Sequence, residues 1–265
     1  LSALNCECAI TFDDVVLVGD SGSIGVDMAL PNMASVTMSH VKIAGYHTAI
    51  QVRGTPGDAP HFQAEGLTIS CIGVGLHFQK PASVSLHHSA IRDCSGTGLV
   101  LENNRGPLLL MDTILADNGL GIWLTPENAG AGSTLQASNI SLVHNGAGIE
   151  SQFTNLDVVA SRFIGNGGVW SKEDDLKLKG GVFATFSPGS ISGSSFVGNA
   201  PAGFSSTSNM FDARGNWWGS PLGPDTMVQA QRVGAGGDLV TGSVFVAPFL
   251  AQSPRLASLR RRHAR

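Results

Sequence analysis

Asn118-Gly-Leu-Gly-Ile-Trp-Leu124 returns 27 residues later as Asn145-Gly-Ala-Gly-Ile-Glu-Ser151. The same phrase stands upstream as Ile72-Gly-Val-Gly-Leu-His-Phe78 and Ser95-Gly-Thr-Gly-Leu-Val-Leu101. Looser copies are Ser23-Ile-Gly-Val26, Thr48-Ala-Ile-Gln-Val52, Asn166-Gly-Gly-Val-Trp170 and Asn199-Ala-Pro-Ala-Gly-Phe204. The small residue before the apolar position falls at 25, 49, 75, 98, 121, 148, 168 and 203, a mean step of about 25. Before each copy lie two short alternating runs, such as Val84-Ser-Leu86 then Ile91, or Leu135-Gln-Ala137 then Ile140-Ser-Leu142. Alternation at period two buries one face of a strand and exposes the other. Three such strands per unit cannot each bury a face alone, so the units must stack as a solenoid. A leucine-rich repeat would show helical spacing in each unit, and a propeller blade needs ~40 residues. The sequence therefore predicts an all-β, single-stranded parallel β-helix of about eight or nine rungs of ~25 residues, filling residues 1–208.

Asn118, Asn145, Asn166 and Asn199 sit where the chain turns into the Gly-rich strand, a corner at which Asn and Gly tolerate a left-handed backbone. Stacking would place successive amides about 4.8 Å apart, within reach of one another. Cys71 and Cys94 share the same phase. Their Cα atoms would lie in disulfide range, but in-register stacking seldom supplies the dihedral, so two buried thiols are expected ahead of a bridge.

With these features the chain resembles the right-handed parallel β-helix proteins of the pectate-lyase-like superfamily, whose turns carry such Asn ladders. The stretch Asp212-Ala-Arg-Gly-Asn-Trp-Trp-Gly-Ser-Pro-Leu-Gly-Pro-Asp225, with Gly237-Asp-Leu-Val-Thr-Gly-Ser-Val244 and Ala247-Pro-Phe-Leu250, resembles the closing module of bacterial secreted or surface β-helices. The resemblance implies a cap over 209–252 and an extracellular, cell-surface or periplasmic location. A last rung exposes an apolar cross-section, which Trp217 and Trp218 are placed to cover. The motifs by which pectate lyases, polygalacturonases and alginate epimerases are recognised are absent, Arg105-Gly-Pro107 being followed by Leu110 where a second Arg would stand. No catalytic residue is carried over from those families, and one fold hosts many functions.

Composition agrees with strands and tight turns: 34 Gly in 265 residues, 14% charged and 42% hydrophobic. Net charge is −4, and five Arg lie in the last eleven residues, so the body is more acidic still, which disfavours nucleic acid. That basic end, 253–265, reads as a solvated tail. A chain opening on Leu1 without a charged-plus-apolar leader reads as processed or as a segment of a larger chain. No apolar run approaches a membrane span. No spacing of Cys and His suggests zinc, no acidic loop suggests calcium, and no cofactor is expected.

Two outward columns carry candidate chemistry. Aligning inward pairs Phe62/Ala64, Val84/Leu86, Leu109/Met111 and Leu135/Ala137 stacks Ser39, Glu65, His87, Asp112 and Ser138. Glu65, His87 and Asp112 would form an acid–imidazole–acid set suited to general acid–base work on a glycan. The strand after the Asn corner stacks His77, Val100, Trp123, Glu150 and Trp170. Trp123 and Trp170 would lie two rungs apart with Glu150 between, offering indole faces to sugar rings. A solvated polar column and a covered tryptophan pair are the plainer readings. The sequence favours a non-enzymatic secreted or surface rod that binds a polysaccharide or another cell-envelope component. A polysaccharide lyase, hydrolase or epimerase is the alternative.

Overall fold

The computed structural model describes residues 2–4, 9–30, 34–54, 60–104, 106–126, 133–167, 180–207, 210–228, 231–233 and 236–255. One turn is typified by Val74–Gln79, Ser83–His87 and Ala90–Arg92. Its inward residues Leu76, Phe78, Val84, Leu86 and Ile91 are all fully buried, because alternation sends every second side chain to the axis. Among the described residues such strands stack into sheets of twelve, ten and eight strands, each hydrogen-bonding the strand one turn away. The pairing between turns is parallel; Asp225–Val228 with Gln231–Val233, near the end, is antiparallel. The eight strands of the smallest sheet bound seven full turns with part-turns beyond, slightly fewer than the sequence suggests.

Corners are made by left-handed residues. Between the ten- and eight-stranded sheets, His40, Gly66, His88, Asp112, Asn139, Ala160 and Gly193 have φ of 48–68°. At the next corner the left-handed residues are Asp117, His144, Gly165 and Gly198, each one before the Asn expected to hold that conformation, and the Asn side chains form the ladder. Asn118 Nδ2 donates to Asn145 Oδ1 at 3.0 Å, Asn145 Nδ2 to Asn166 Oδ1 at 3.0 Å, and Asn166 Nδ2 to Asn199 Oδ1 at 2.9 Å. Each second amide proton is spent on a core-side carbonyl such as that of Leu115, so these buried side chains are satisfied. The ladder ends on Asp238, whose Oδ2 accepts from Asn199 Nδ2 at 2.6 Å and from Asn199 N. It begins at Cys94, whose N–H donates to Asn118 Oδ1.

Three expectations are corrected. Cys71 and Cys94 form a disulfide, with Cα atoms 4.7 Å apart. Ile69 and Ile91 are in register, yet Cys71 follows by two residues and Cys94 by three. The cysteines are thus staggered, and the geometric objection to stacked cysteines does not apply. In the turn 107–111, Leu108 and Leu110 point inward and Met111 outward, one residue out of phase with the alignment on Leu109/Met111. Finally, the strand beside Ile149–Gln152 is Val182–Thr185, so Gly181 holds the place expected of residue 168, and the phrase at 168 lies outside the described residues.

The far end is closed from within. Phe163 stacks on Phe196 and Phe196 on Trp218, each pair with centroids 4.5 Å apart. Trp218 is fully buried. Trp217 is half-buried and accepts the Phe196 N–H through its carbonyl. Leu239–Thr241 and Val244–Phe245 then extend the two larger sheets.

Candidate functional site

On the ten-stranded sheet Glu65 stacks on His87, and His87 on Met111. Asp112 is therefore not in the column with His87; it occupies the left-handed corner one residue on. The corner above it is His88, and this imidazole makes the bridge. His88 Nδ1 lies 2.8 Å from Glu65 Oε1 and Nε2 lies 3.2 Å from Asp112 Oδ2. Asp112 Oδ1 also accepts from Asn139 Nδ2 at 2.5 Å. His87 instead turns along its own strand to Ser85 Oγ, 2.9 Å away. The structure thus assembles an acid–imidazole–acid set from Glu65 and Asp112, with His88 in place of His87. The source of the slip is Leu108-Leu-Leu110: three like residues erase the alternation that fixes register.

The set is well hydrated, its side chains 50%, 60% and 26% exposed in the order Glu65, His88, Asp112. Both ring nitrogens face carboxylate oxygens. A neutral imidazole donates through one nitrogen and only the cation through both, so abstracting a proton with this ring requires giving up one contact.

On the twelve-stranded sheet the outward column runs Gln51, His77, Val100, Trp123, Glu150, Phe183. Trp170 lies outside the described residues, and Phe183 takes the position below Glu150. The sequence carries the signal twice, as Gly167-Gly-Val-Trp170 and Gly180-Gly-Val-Phe183; the ladder follows the second. Trp123, Glu150 and Phe183 are each half-buried. At about 4.8 Å per rung the two rings stand roughly 10 Å apart along the axis. Two residues further along the strands runs a polar column: Gln79, Glu102, Thr125, Gln152 and Thr185. Glu102 Oε2 accepts from Gln79 Nε2 at 3.0 Å and lies 3.2 Å from His77 Nε2. Nearer the start, Arg53 Nη2 grips both oxygens of Asp27 at 2.7 and 2.8 Å.

Two smaller features complete the surface. A shallow depression of about 440 Å³ is lined by Ser190, Ser192, Asp212, Arg214, Gly215 and Pro248. There the hydrogen bonds from Arg214 hold the Asp212 carboxyl below its ordinary range. Asp13, Asp14 and His40 can bring one ligand atom each within 4.8 Å of the others, all three exposed; exposed surface groups of this kind do not by themselves define a metal centre.

The family profile of the right-handed β-helix region matches residues 25–217. The chain belongs to the right-handed β-helix family. The match begins on the second turn and ends at Trp217, beside the tryptophan that closes the core. Comparison with curated proteins and with solved structures finds no match. The family thus fixes the right-handed coil and the repeat; activity must be argued from the faces.

Proposed function

We propose that this right-handed β-helix is a non-catalytic recognition rod that holds an extended polysaccharide along the outer face of its twelve-stranded sheet. The observation that carries the reading is the pairing of two columns. Trp123 and Phe183 bracket Glu150, and beside them Thr125, Gln152 and Thr185 present hydroxyl and amide groups. Ring faces stack on the apolar faces of sugars, while hydroxyls and amides exchange hydrogen bonds with sugar hydroxyls. The ring spacing suits alternate units of a chain lying along the axis. A location outside the cytoplasm is supported by the Cys71–Cys94 disulfide, since such bridges persist in oxidising compartments. The likeness of 212–225 to closing modules of bacterial secreted β-helices points the same way.

The double variant Trp123→Ala/Phe183→Ala should lose retention in polysaccharide affinity gels by at least about tenfold, roughly 1.4 kcal/mol, while its unfolding midpoint stays near wild type. Equal retention of both proteins rejects the face.

A second reading rests on Glu65, His88 and Asp112: a lyase, hydrolase or epimerase using carboxylates about an imidazole. Hydration and the doubly engaged ring place it second. Release of unsaturated or reducing ends from a polysaccharide panel, abolished by Glu65→Gln, would promote it; an inert wild type retires it.

A further inference from the structure

The depression beside Arg214 lies on the ten-stranded sheet, a different sheet from that of Trp123 and Phe183. Its volume of about 440 Å³ falls in the range of small-molecule sites, about 300–1,000 Å³. The charged pair within it is arranged in advance. Arg214 closes a fork on Asp212, Nε donating to Oδ1 at 2.9 Å and Nη2 to Oδ2 at 2.6 Å, while its backbone N–H donates to Oδ1 at 3.1 Å. A carboxylate offers about four lone-pair sites and a guanidinium five N–H donors. Three of the former are filled and two of the latter used, which leaves one acceptor on Oδ2 and three donors that no described residue takes. The bonds from Arg214 hold the Asp212 carboxyl below its ordinary range, so it stays an acceptor in mildly acidic media. Ser192 adds an exposed hydroxyl, and the Ser190 hydroxyl donates to Asp157 Oδ1 at 3.3 Å.

Apolar surface adjoins these groups. Pro248 lines the depression, its carbonyl held by the Gly215 N–H at 2.7 Å. Phe245, the register partner of Asp212, is 50% exposed. Gly215, left-handed at φ 70°, puts no side chain at the rim. An anionic ligand would compete with Asp212 for the fork and would face Asp157 as well. A sugar hydroxyl accepts from the guanidinium and donates to Oδ2 at once, and the apolar face of the ring suits an aromatic neighbour.

We propose that this depression is a second carbohydrate site, seating one neutral sugar ring on the Asp212–Arg214 pair against Phe245 and Pro248. It does not rest on the twelve-stranded face, and either can fail without the other.

The test follows the arginine Nε–H signals of the whole chain by NMR during titration with methyl β-glucoside, methyl β-galactoside and methyl α-mannoside, and with galacturonate and sulfate as anions. Arg214→Gln identifies the Arg214 signal. That signal should shift saturably with at least one neutral glycoside, and Asp212→Asn and Phe245→Ala should each weaken the binding at least about tenfold with the unfolding midpoint kept. Phe245→Ala and Ser192→Ala, both at exposed positions, keep the claim testable where Asp212→Asn fails to fold. Trp123→Ala/Phe183→Ala should respond as wild type does; loss of the response there overturns the separation of the two sites. No saturable shift with any neutral glycoside, or one indifferent to the Asp212, Phe245 and Ser192 substitutions, overturns the site. Tighter binding of sulfate or galacturonate than of every neutral glycoside makes the depression an anion site and overturns the assignment.

Discussion

Asn145 shows what a single side chain does in this solenoid. Its Oδ1 accepts from both Asn118 N and Asn118 Nδ2, and its Nδ2 donates to Leu115 O and Asn166 Oδ1. It is 1% exposed, so water cannot replace any of these partners. Truncation strands two donors above it and the Leu115 carbonyl, while Asn166 Oδ1 keeps the Asn145 backbone N–H, at about 1–3 kcal/mol for each unsatisfied buried group. Partial relaxation brings the expected cost of Asn145→Ala to about 3–4 kcal/mol. By contrast, His88→Ala removes exposed contacts of the kind worth about 0.2–1 kcal/mol. Urea unfolding of the two variants reads the difference. A loss below about 1 kcal/mol for Asn145→Ala would mean that the ladder is ornamental.

At the scale of one element, the turn 145–192 explains both the success and the failure of reading the sequence. Gly146 and Gly167 correspond, since Gly167 N donates to Asn145 O as Gly146 N does to Asn118 O. Ala147 and Gly180 correspond too, their carbonyls accepting from Gly121 N and Gly148 N. Asn166-Gly167 followed at once by Gly180-Gly-Val182 would thus reproduce Asn145-Gly-Ala-Gly-Ile149. Residues 168–179, which lie outside the described residues, separate the two halves of this phrase in the sequence and begin with a second copy of it. Strand periodicity, the Asn corner and the parallel stack were legible because each rests on local patterning repeated many times. The outward columns were not, because they demand register to the residue, and the run Leu108-Leu-Leu110 and the second copy at 168 each supply two equivalent registers. The disulfide escaped for a related reason, a one-residue stagger that the average repeat hides. Deleting 168–179 should therefore leave a cooperative fold with stability within about 1 kcal/mol of wild type, since loop-length changes are entropically cheap. Loss of the cooperative transition would refute the register. Retained polysaccharide binding by the deletion would assign recognition to Trp123 and Phe183 without Trp170.

Across the whole molecule, the two ends of the stack differ in how they finish the core. At the start, Ala9–Asp13 and Val16–Val18 each pair on one side. Ile10 and Leu17 on these strands and Val15 between them are only partly buried and Phe12 is 8% exposed, whereas Val36, Val41 and Ile43 one turn on are 1% exposed. At the other end Trp218 seals the aromatic stack, and Asp238 seals the Asn ladder. Stability in a solenoid is close to a sum over rungs and their interfaces, so opening begins wherever an end interface is weakest. Hydrogen exchange should accordingly show a gradient: amides of 9–18 exchange first, those of 135–164 last, and those around Phe196 and Trp218 remain protected despite being near the end. Trp218→Ala removes a fully buried indole, a change that costs about 3–5 kcal/mol in a packed core, and should invert the gradient at that end alone. Protection of 195–205 would fall to the level of 9–18 while 61–92 keeps its wild-type rates. If the variant instead loses protection evenly from 9 to 245, the molecule unfolds as one unit and its ends are not independent caps.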